Sequence, residues 1–373
     1  MKLAELHILQ SFPPSCLNRD EIGAPKSAIF GGVKRSRISS QCSRRATRID
    51  AARNSELFQG VRTRYLNEMF LDALIKHGAE VPVAERIAGL ICEVLSKNDE
   101  KHPGQVTTCV FLSPAEVGRI AGACLLAARN ILNKPEGDVP DEPVPTAKRK
   151  KDEKKDPLAD IVAKEATKAM KSAAPLDAAD IALFGRMIAN DSSLNIEGAS
   201  LFSHPISTHR SVNDVDFWTA VDDKKGDSGA AGMGAAEFSS ATYYRFVALD
   251  LDLLFAPTHL GLLTVDEKKS VVSAFIRAAL MAVPGAKKNS MNAATLPFEV
   301  LAILKDEGQP VQLVNAFEKP IPSSADGYAS PSTVALKDEL QKIKRIWSPK
   351  QEEVWLTEVG MGKFMELILA HVE

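Results

Sequence analysis

Aromatic residues make up only 6% of the 373-residue chain, so recognition by stacking over many rings is excluded as its main device. Neither sign of charge is in excess. The chain has 46 Lys+Arg against 48 Asp+Glu, a formal charge of −2, so any nucleic-acid site must come from local clustering. No apolar run approaches the roughly 20 residues that span a bilayer. The opening MKLAELHILQ lacks a long signal-peptide core, and a cytoplasmic protein without membrane contact is expected. Cys16, Cys42, Cys92, Cys109 and Cys124 form no CxxC pair, which fits reduced thiols. The phosphate-loop, serine-hydrolase and zinc-protease motifs are all missing. His204 and His209, with Asp214 and Asp216 nearby, lack zinc-type ligand spacing. Asp222 and Asp223 read as a solvated acidic loop. No catalytic residue, metal or cofactor is therefore expected.

What is present is a composition for folding, 45% hydrophobic and 25% charged. At roughly 150 residues per domain, the length suits about two domains, or one large domain with insertions. Alternation over Leu3 to Gln10 predicts a well-covered strand, stopped by Pro13 and Pro14. Helices are predicted over 64–77, 82–97 and from Ser113–Pro114 to about Asn130. The last carries Val117, Ile120, Ala121, Cys124 and Leu125 at helical spacing. A helix over 176–190 is interrupted at Gly185. A strand is predicted over 237–254, then a Thr264–Glu267 capping box opening a helix with Val271, Ala274, Phe275, Ala278 and Met281 on its buried face. Strands at 296–304 and 311–321 and a helix within 353–372 complete the reading.

One segment departs from the neutral average. Residues 19 to 64 hold eleven Lys/Arg and four Asp/Glu. Within it, FGGVKRSRISSQ reads as a glycine turn entering an extended stretch. SQCSRRATRIDAARN reads as a helix with Ser39 or Ser40 as its cap. Gln41, Arg44, Arg45 and Arg48 share one side, and Cys42, Ala46 and Ile49 supply the buried stripe. An Arg stripe beside a helix N-terminus with free amides suits phosphates. The plainer reading is a solvated face. Asp20 reads as a partner that orients Arg19 by a charge-assisted bond. Met187, after a Gly–Arg pair, reads either as core or as a wedge between bases. Residues 133–157 carry five prolines and read as an exposed loop or linker. Its lysine tract (Lys148, Arg149, Lys150, Lys151, Lys154 and Lys155) suits either a DNA backbone or a soluble tether.

The stretch SCLNRDEIGAPKSAIFGGVKRSRISSQCSRRATR resembles the Cas7 (CasC/Cse4) backbone subunits of type I-E CRISPR Cascade surveillance complexes. DIALFGRM, HPISTHRSVNDVDFWTAVDD, GAAEFSSATYYRF, VPGAKKNSMNA and NAFEKP agree in order, so the resemblance spans most of the chain. It implies an α+β fold with a modified RRM-like, ferredoxin-like palm, inserted helical fingers and a β-hairpin-like thumb. By this reading 1–60 and 238–373 form the palm and 61–180 the fingers, with 181–200 returning to the palm and 201–237 forming the thumb. It implies roughly six copies polymerising head to tail along one CRISPR RNA and presenting it to target DNA. Cas5, Cas6, Cas8 (Cse1) and Cse2 are the implied companion subunits, with the helicase–nuclease Cas3 acting indirectly. Carried over by motif, Arg19, Lys26, Ser39, Ser40, Gln41, Arg44, Arg45 and Arg48 cradle the guide backbone. Met187 packs against a kinked base, Thr208 and His209 lie in the thumb segment, and Lys287 and Lys288 lie in a basic turn. The resemblance implies no nuclease activity. Two rivals are a guide-associated endoribonuclease using Asp20 and a stand-alone single-strand binding protein.

Overall fold

The computed structural model describes residues 1–132, 156–224 and 230–372; the lysine tract at 148–155 lies outside the described residues. In chain order the strands are β1 (Leu3–Ser15), β2 (Ser27–Phe30), β3 (Val33–Ser36), β4 (Val61–Thr63), β5 (Val110–Leu112), β6 (Ser200–Phe202), β7 (Ile206–Ser207), β8 (Asp214–Val221), β9 (Ala230–Asp250), β10 (Glu299–Lys305) and β11 (Glu352–Trp355). The helices are α1 (Ser40–Asn54), α2 (Leu66–Lys76), α3 (Val81–Leu95), α4 (Pro114–Leu132), α5 (Pro157–Lys171), α6 (Ala179–Phe184), α7 (Leu251–Leu254), α8 (Val265–Met281), α9 (Ala329–Trp347) and α10 (Leu356–Ala370). The fold is mixed α+β and divides into two units.

The first unit comprises Met1–Glu56, Ala199–Ala256 and Leu263–Glu373. Its antiparallel sheet has the order β11-β10-β1-β9-β6, with β7 and β8 also pairing to β9. β1 is central and covered on both faces, which is why its sequence lacks clean alternation. It does not stop at the prolines. Pro13 and Pro14 fall where the register against β9 shifts, and both are exposed there. In that irregularity their missing N–H groups break no ladder bond. β9 is longer than expected at its start and shorter at its end. Asp250 accepts from Leu253 N at 3.0 Å and turns the chain into α7. The ribbon β8–β9 runs from Asp214↔Phe238 to Val221↔Ala230, with every residue of β8 exposed.

The expected strand at 311–321 is instead an irregular segment with a short 3-10 turn at Val314–Phe317. Its backbone is bonded by buried side chains rather than by a ladder. Leu313 N donates to Tyr244 Oη at 2.8 Å, and Val311 N donates to Glu5 Oε1 at 3.3 Å. Glu5 is in turn held by Lys305 Nζ at 2.6 Å. Arg35, fully buried, donates to Phe317 O (2.7 Å), Glu318 O (3.2 Å), Ser207 O (2.9 Å) and Phe30 O (3.2 Å). The β2–β3 turn approaches the same segment so closely that a Cβ on Gly31 would sit 1.7 Å from Glu318 O. At φ +58° that position requires glycine.

The Thr264–Glu267 capping box is present with both reciprocal bonds. Val271, Ala274, Phe275 and Ala278 are buried as expected, but Met281 in the last turn is exposed. The stretch 329–347, left unassigned by pattern, is the long helix α9. α10 carries a kink at Gly360.

The second unit, Leu57–Gly198 with Pro257–Leu262, is mainly helical. α2, α3 and α4 lie close to their expected bounds, and Val117, Ile120, Ala121, Cys124 and Leu125 are all buried. Burial pushes the Cys92 and Cys124 thiols up to about 12, so both pack as neutral groups. α5 begins where the sequence reading still had a loop. Asp156 caps it, accepting from Leu158 N at 3.0 Å, and Pro157 takes the first turn. The helix expected to reach Asn190 ends at Phe184, because Gly185 leaves it at φ +77°.

Candidate nucleic-acid interface

The first unit carries a cleft of about 1120 Å³ walled by α1, the 17–23 loop and the 281–294 turn. Arg19, Arg45, Arg53 and Lys288 line it together with Asp20, Glu21 and Asp50. A shallower hollow of about 530 Å³ is lined by Arg19, Asp20, Glu21, Ile22 and Lys26. Of the basic positions carried over by motif, Arg19, Arg45 and Lys288 thus share the cleft and Lys26 the adjoining Arg19 hollow, while Arg44, Arg48 and Lys287 line neither.

α1 shows why. Its buried line is Ser43, Thr47 and Ala51, not Cys42, Ala46 and Ile49. α8 is the neighbouring helix. α1 is therefore rotated from the expected pose. Cys42, Ala46 and Ile49 become half-buried cleft lining, beside exposed Arg45. Arg44 and Arg48 turn to the other flank, half-buried, outside the cleft lining. Burial lowers the Arg44 pKa. Burial also pushes the Cys42 thiol up, against the pull of Lys26 and Arg45.

The α1 N-terminus is less open than expected. Ser39 Oγ accepts from Cys42 N at 3.2 Å, so Ser39 is the cap. His204 Nδ1 accepts from Ser40 N at 3.1 Å and lies 3.3 Å from Arg37 Nη1. Ser39 N donates to Asn18 Oδ1 at 2.8 Å. Three amides at this helix end are thus already taken. Gln41 is exposed and Ser40 half-buried.

Asp20 does not pair with Arg19. Its Oδ1 accepts from Ile22 N (3.1 Å) and Ala24 N (2.9 Å), shaping the loop that presents Arg19. Lys26 is tied by backbone bonds to Asn18 and Arg37, leaving its ammonium at the hollow. Lys287 is half-buried in a left-handed conformation (φ 50°), its carbonyl accepting from Ser290 N and Met291 N. That turn puts Lys288 into the cleft.

Thr208 and His209 are interior residues. Thr208 Oγ1 meets Ser332 Oγ at 2.9 Å, and its amide donates to Thr242 O at 2.8 Å. His209 stacks on Tyr328 with ring centroids 3.7 Å apart. Its Nδ1 donates to Arg210 O (2.9 Å) and its Nε2 accepts from Thr242 N (3.2 Å), which fixes a neutral ring. Burial lowers its pKa to the same end.

In the second unit Met187 is 71% exposed, so it is not core. The preceding Arg186 is buried and bonds both oxygens of buried Glu116 at 2.8 Å. Gly185 packs against Gly198 at a distance that leaves little room for a Cβ. A rigid anchor thus displays an apolar side chain to solvent.

Arg53, which the sequence reading places on the helical line of Cys42, Ala46 and Ile49 and not among the guide-binding candidates, lines the cleft too, four and eight residues from Ile49 and Arg45. Arg35, counted among the basic residues, is scaffold, and nothing local in the sequence separates it from its neighbours. Among the described residues, no group of three or more His, Cys, Asp or Glu is placed to hold a metal ion. No helix among them is long and apolar enough to cross a membrane.

The chain is similar over its full length to a chain of a solved structure described as "CRISPR RNA-guided surveillance complex, pre-nicking". The identity is 27%, all of both chains is covered and the TM-score is 0.77. A chain of a second structure, "CRISPR RNA-guided surveillance complex", is 22% identical, with 99% of each chain covered and a TM-score of 0.70, a likeness of fold. A search of curated proteins gave no match. The profile of one family, described as CT1975-like protein, matches residues 4–372. With nearly every residue inside that match, the chain belongs to the CT1975-like protein family.

Proposed function

We propose that this protein is a non-catalytic, CRISPR RNA-binding backbone subunit of the Cas7 kind found in type I-E complexes. In this reading it lines up with further copies along the guide, kinks it at intervals and presents it for pairing with target DNA. Cas5, Cas6, Cas8 and Cse2 are its companions, with Cas3 recruited indirectly. The sheet of the first unit is the RRM-like palm, residues 61–180 the fingers and 201–237 the thumb. The observation that carries the reading is the end-to-end likeness, at 27% identity, to a chain of an RNA-guided surveillance complex. The Arg19–Arg45–Arg53–Lys288 cleft supports it physically, because four cations from three walls around one cleft suit a phosphate backbone without reading sequence.

Replacing Arg45, Arg53 and Lys288 with alanine should weaken guide binding. At about 0.7 per phosphate contact, the log–log salt slope should fall by about 2. An unchanged slope in a folded variant places the RNA elsewhere. The endoribonuclease reading gains nothing from Asp20, whose Oδ1 is held in its own loop. Regularly spaced cuts in matched RNA with Mg²⁺, lost in D20A, would reverse that judgement.

A further inference from the structure

In the second unit Met187 sits between two interior residues. Arg186 before it is buried, and Ile188 after it is 2% exposed. Along extended backbone, successive side chains point to opposite faces, so inward neighbours turn the residue between them outward. Met187 reaches solvent at a point where the chain on either side of it is fastened.

Arg186 is fastened by backbone and side chain together. Its N–H donates to Ile196 O at 2.9 Å, and its own carbonyl accepts from Ile196 N at 2.9 Å. Its Nη1 donates to both oxygens of Glu116, and its Nε reaches Leu194 O at 3.4 Å. Glu116 is itself fixed at the start of α4. Its Oε2 accepts from Ser113 N at 3.2 Å, while its amide donates to Ser113 Oγ at 3.0 Å. That reciprocal pair is a capping box, so the guanidinium is tied to the end of a 19-residue helix. Ile188 is held as well, its amide donating to Asn195 Oδ1 at 2.7 Å. On the other side Gly185 runs so close to the chain that a Cβ there would lie 3.0 Å from Gly198 N and from Ile196 O.

Stability alone does not call for this construction. The Arg186 and Glu116 side chains are 3% and 0% exposed. Apolar side chains of similar volume often replace such a pair at no loss of stability, whereas the pair adds direction. What it directs is the backbone under Met187. A side chain that parts stacked bases has to withstand their closing again. Methionine is unbranched and flexible, so the stiffness must come from the chain that carries it.

We propose that Arg186, acting through Glu116, and Asn195, acting through the Ile188 amide, are positioning residues that hold Met187 as a fixed wedge against a guide base. The proposal rests on the guide-binding reading above and adds the device that keeps the kink in place. Arg186 acts from the interior.

The test uses the full chain assembled on guide RNA, with base accessibility along the guide read by chemical probing at equal RNA occupancy. The unaltered protein should show regularly spaced reactive bases, and M187S should lose that pattern. R186M/E116L fills the same space with apolar side chains. It should melt close to the unaltered protein and still lose the pattern as M187S does. Adding M187S to it should change nothing further, because the wedge is already displaced. N195A alters an exposed residue, so it should fold, and it should weaken the pattern. A pattern lost in M187S but kept in R186M/E116L overturns the proposal and leaves guide binding intact. So does a pattern kept in M187S, and so does an effect of R186M/E116L that adds to that of M187S, which marks a merely structural role. If R186M/E116L does not fold, N195A decides, and an unchanged pattern there overturns the proposal. A guide with no regular pattern on the unaltered protein overturns the guide-kinking reading, and this proposal with it.

Discussion

Arg35 and Arg45 belong to one basic segment, yet one is sealed in the interior and the other lines an open cleft. The same contrast separates two larger regions. Ser207, Thr208 and His209 join Arg35 in a locked interior, where each polar group has a protein partner. Arg19, Arg53 and Lys288 join Arg45 on a surface that solvent reaches. A polar residue carries a binding role only if its polar end is left for the ligand. Arg35 uses its fork to cap carbonyls of a segment that has no ladder. Arg45 spends nothing on the fold. The difference predicts that the first region governs stability and the second governs salt-sensitive binding.

The sharpest way to break this comparison is R35A. It strands the carbonyls of Phe30, Ser207, Phe317 and Glu318. It should cost at least about 3 kcal/mol in a urea titration. R35K should recover little, because an ammonium cannot reproduce the guanidinium fork. A stable R35A protein with reduced RNA binding would move Arg35 to the other side of the comparison.

A smaller effect is expected from T208V, which keeps shape but removes the hydroxyl shared with Ser332. The loss should be about 1–2 kcal/mol with RNA affinity unchanged in the folded protein. A fall in RNA affinity at constant stability would restore Thr208 as a guide contact.

The interior region should also make stability pH-dependent. Burial lowers the pKa of both His7 and His209. The unfolded chain then binds protons that the folded chain refuses. Stability is full above the ordinary histidine pKa of about 6.5 and falls as pH drops below it, by at most about 1.4 kcal/mol per pH unit for each ring. Thermal melts from neutral pH downward should show the decline, and H209Q should show a shallower one. A flat profile would mean that these rings are not held neutral.

The smallest effect on stability is expected at the exposed Met187. M187S should change stability by no more than about 0.5 kcal/mol, because little packing is lost. If Met187 serves as a wedge, the same variant should alter the exposure of a regularly spaced guide base to chemical probing. A large drop in stability would instead put Met187 in a packed core.

Much of the fold could be read from pattern. The helical unit announced itself through the spacing of Val117, Ile120, Ala121, Cys124 and Leu125, and Thr264–Glu267 marked a helix start that is present in full. These signals are local, needing only residues a turn apart. The misread elements are those decided at long range. Residues 311–321 look like a strand, but the amides of Val311 and Leu313 go to Glu5 and Tyr244, far away in sequence. Pro13 and Pro14 look like a stop, but a register shift against β9 absorbs them.

The site divides the same way. The amino-acid sequence by itself determined that positive charge concentrates in residues 19–64, that Ser39 or Ser40 can cap α1, and that Gly185 interrupts a helix, because composition and backbone preference are properties of neighbours. Only the tertiary structure decided which of those charges remain available. The buried line of α1 is Ser43, Thr47 and Ala51, which puts Arg45 and Arg53 in the cleft and leaves Arg44 and Arg48 outside its lining. Distant carbonyls drew Arg35 inward, and His204 filled the helix end meant for an anion. A helical periodicity specifies which residues share a face. Which face meets solvent depends on what packs against the others, and those partners lie hundreds of residues away.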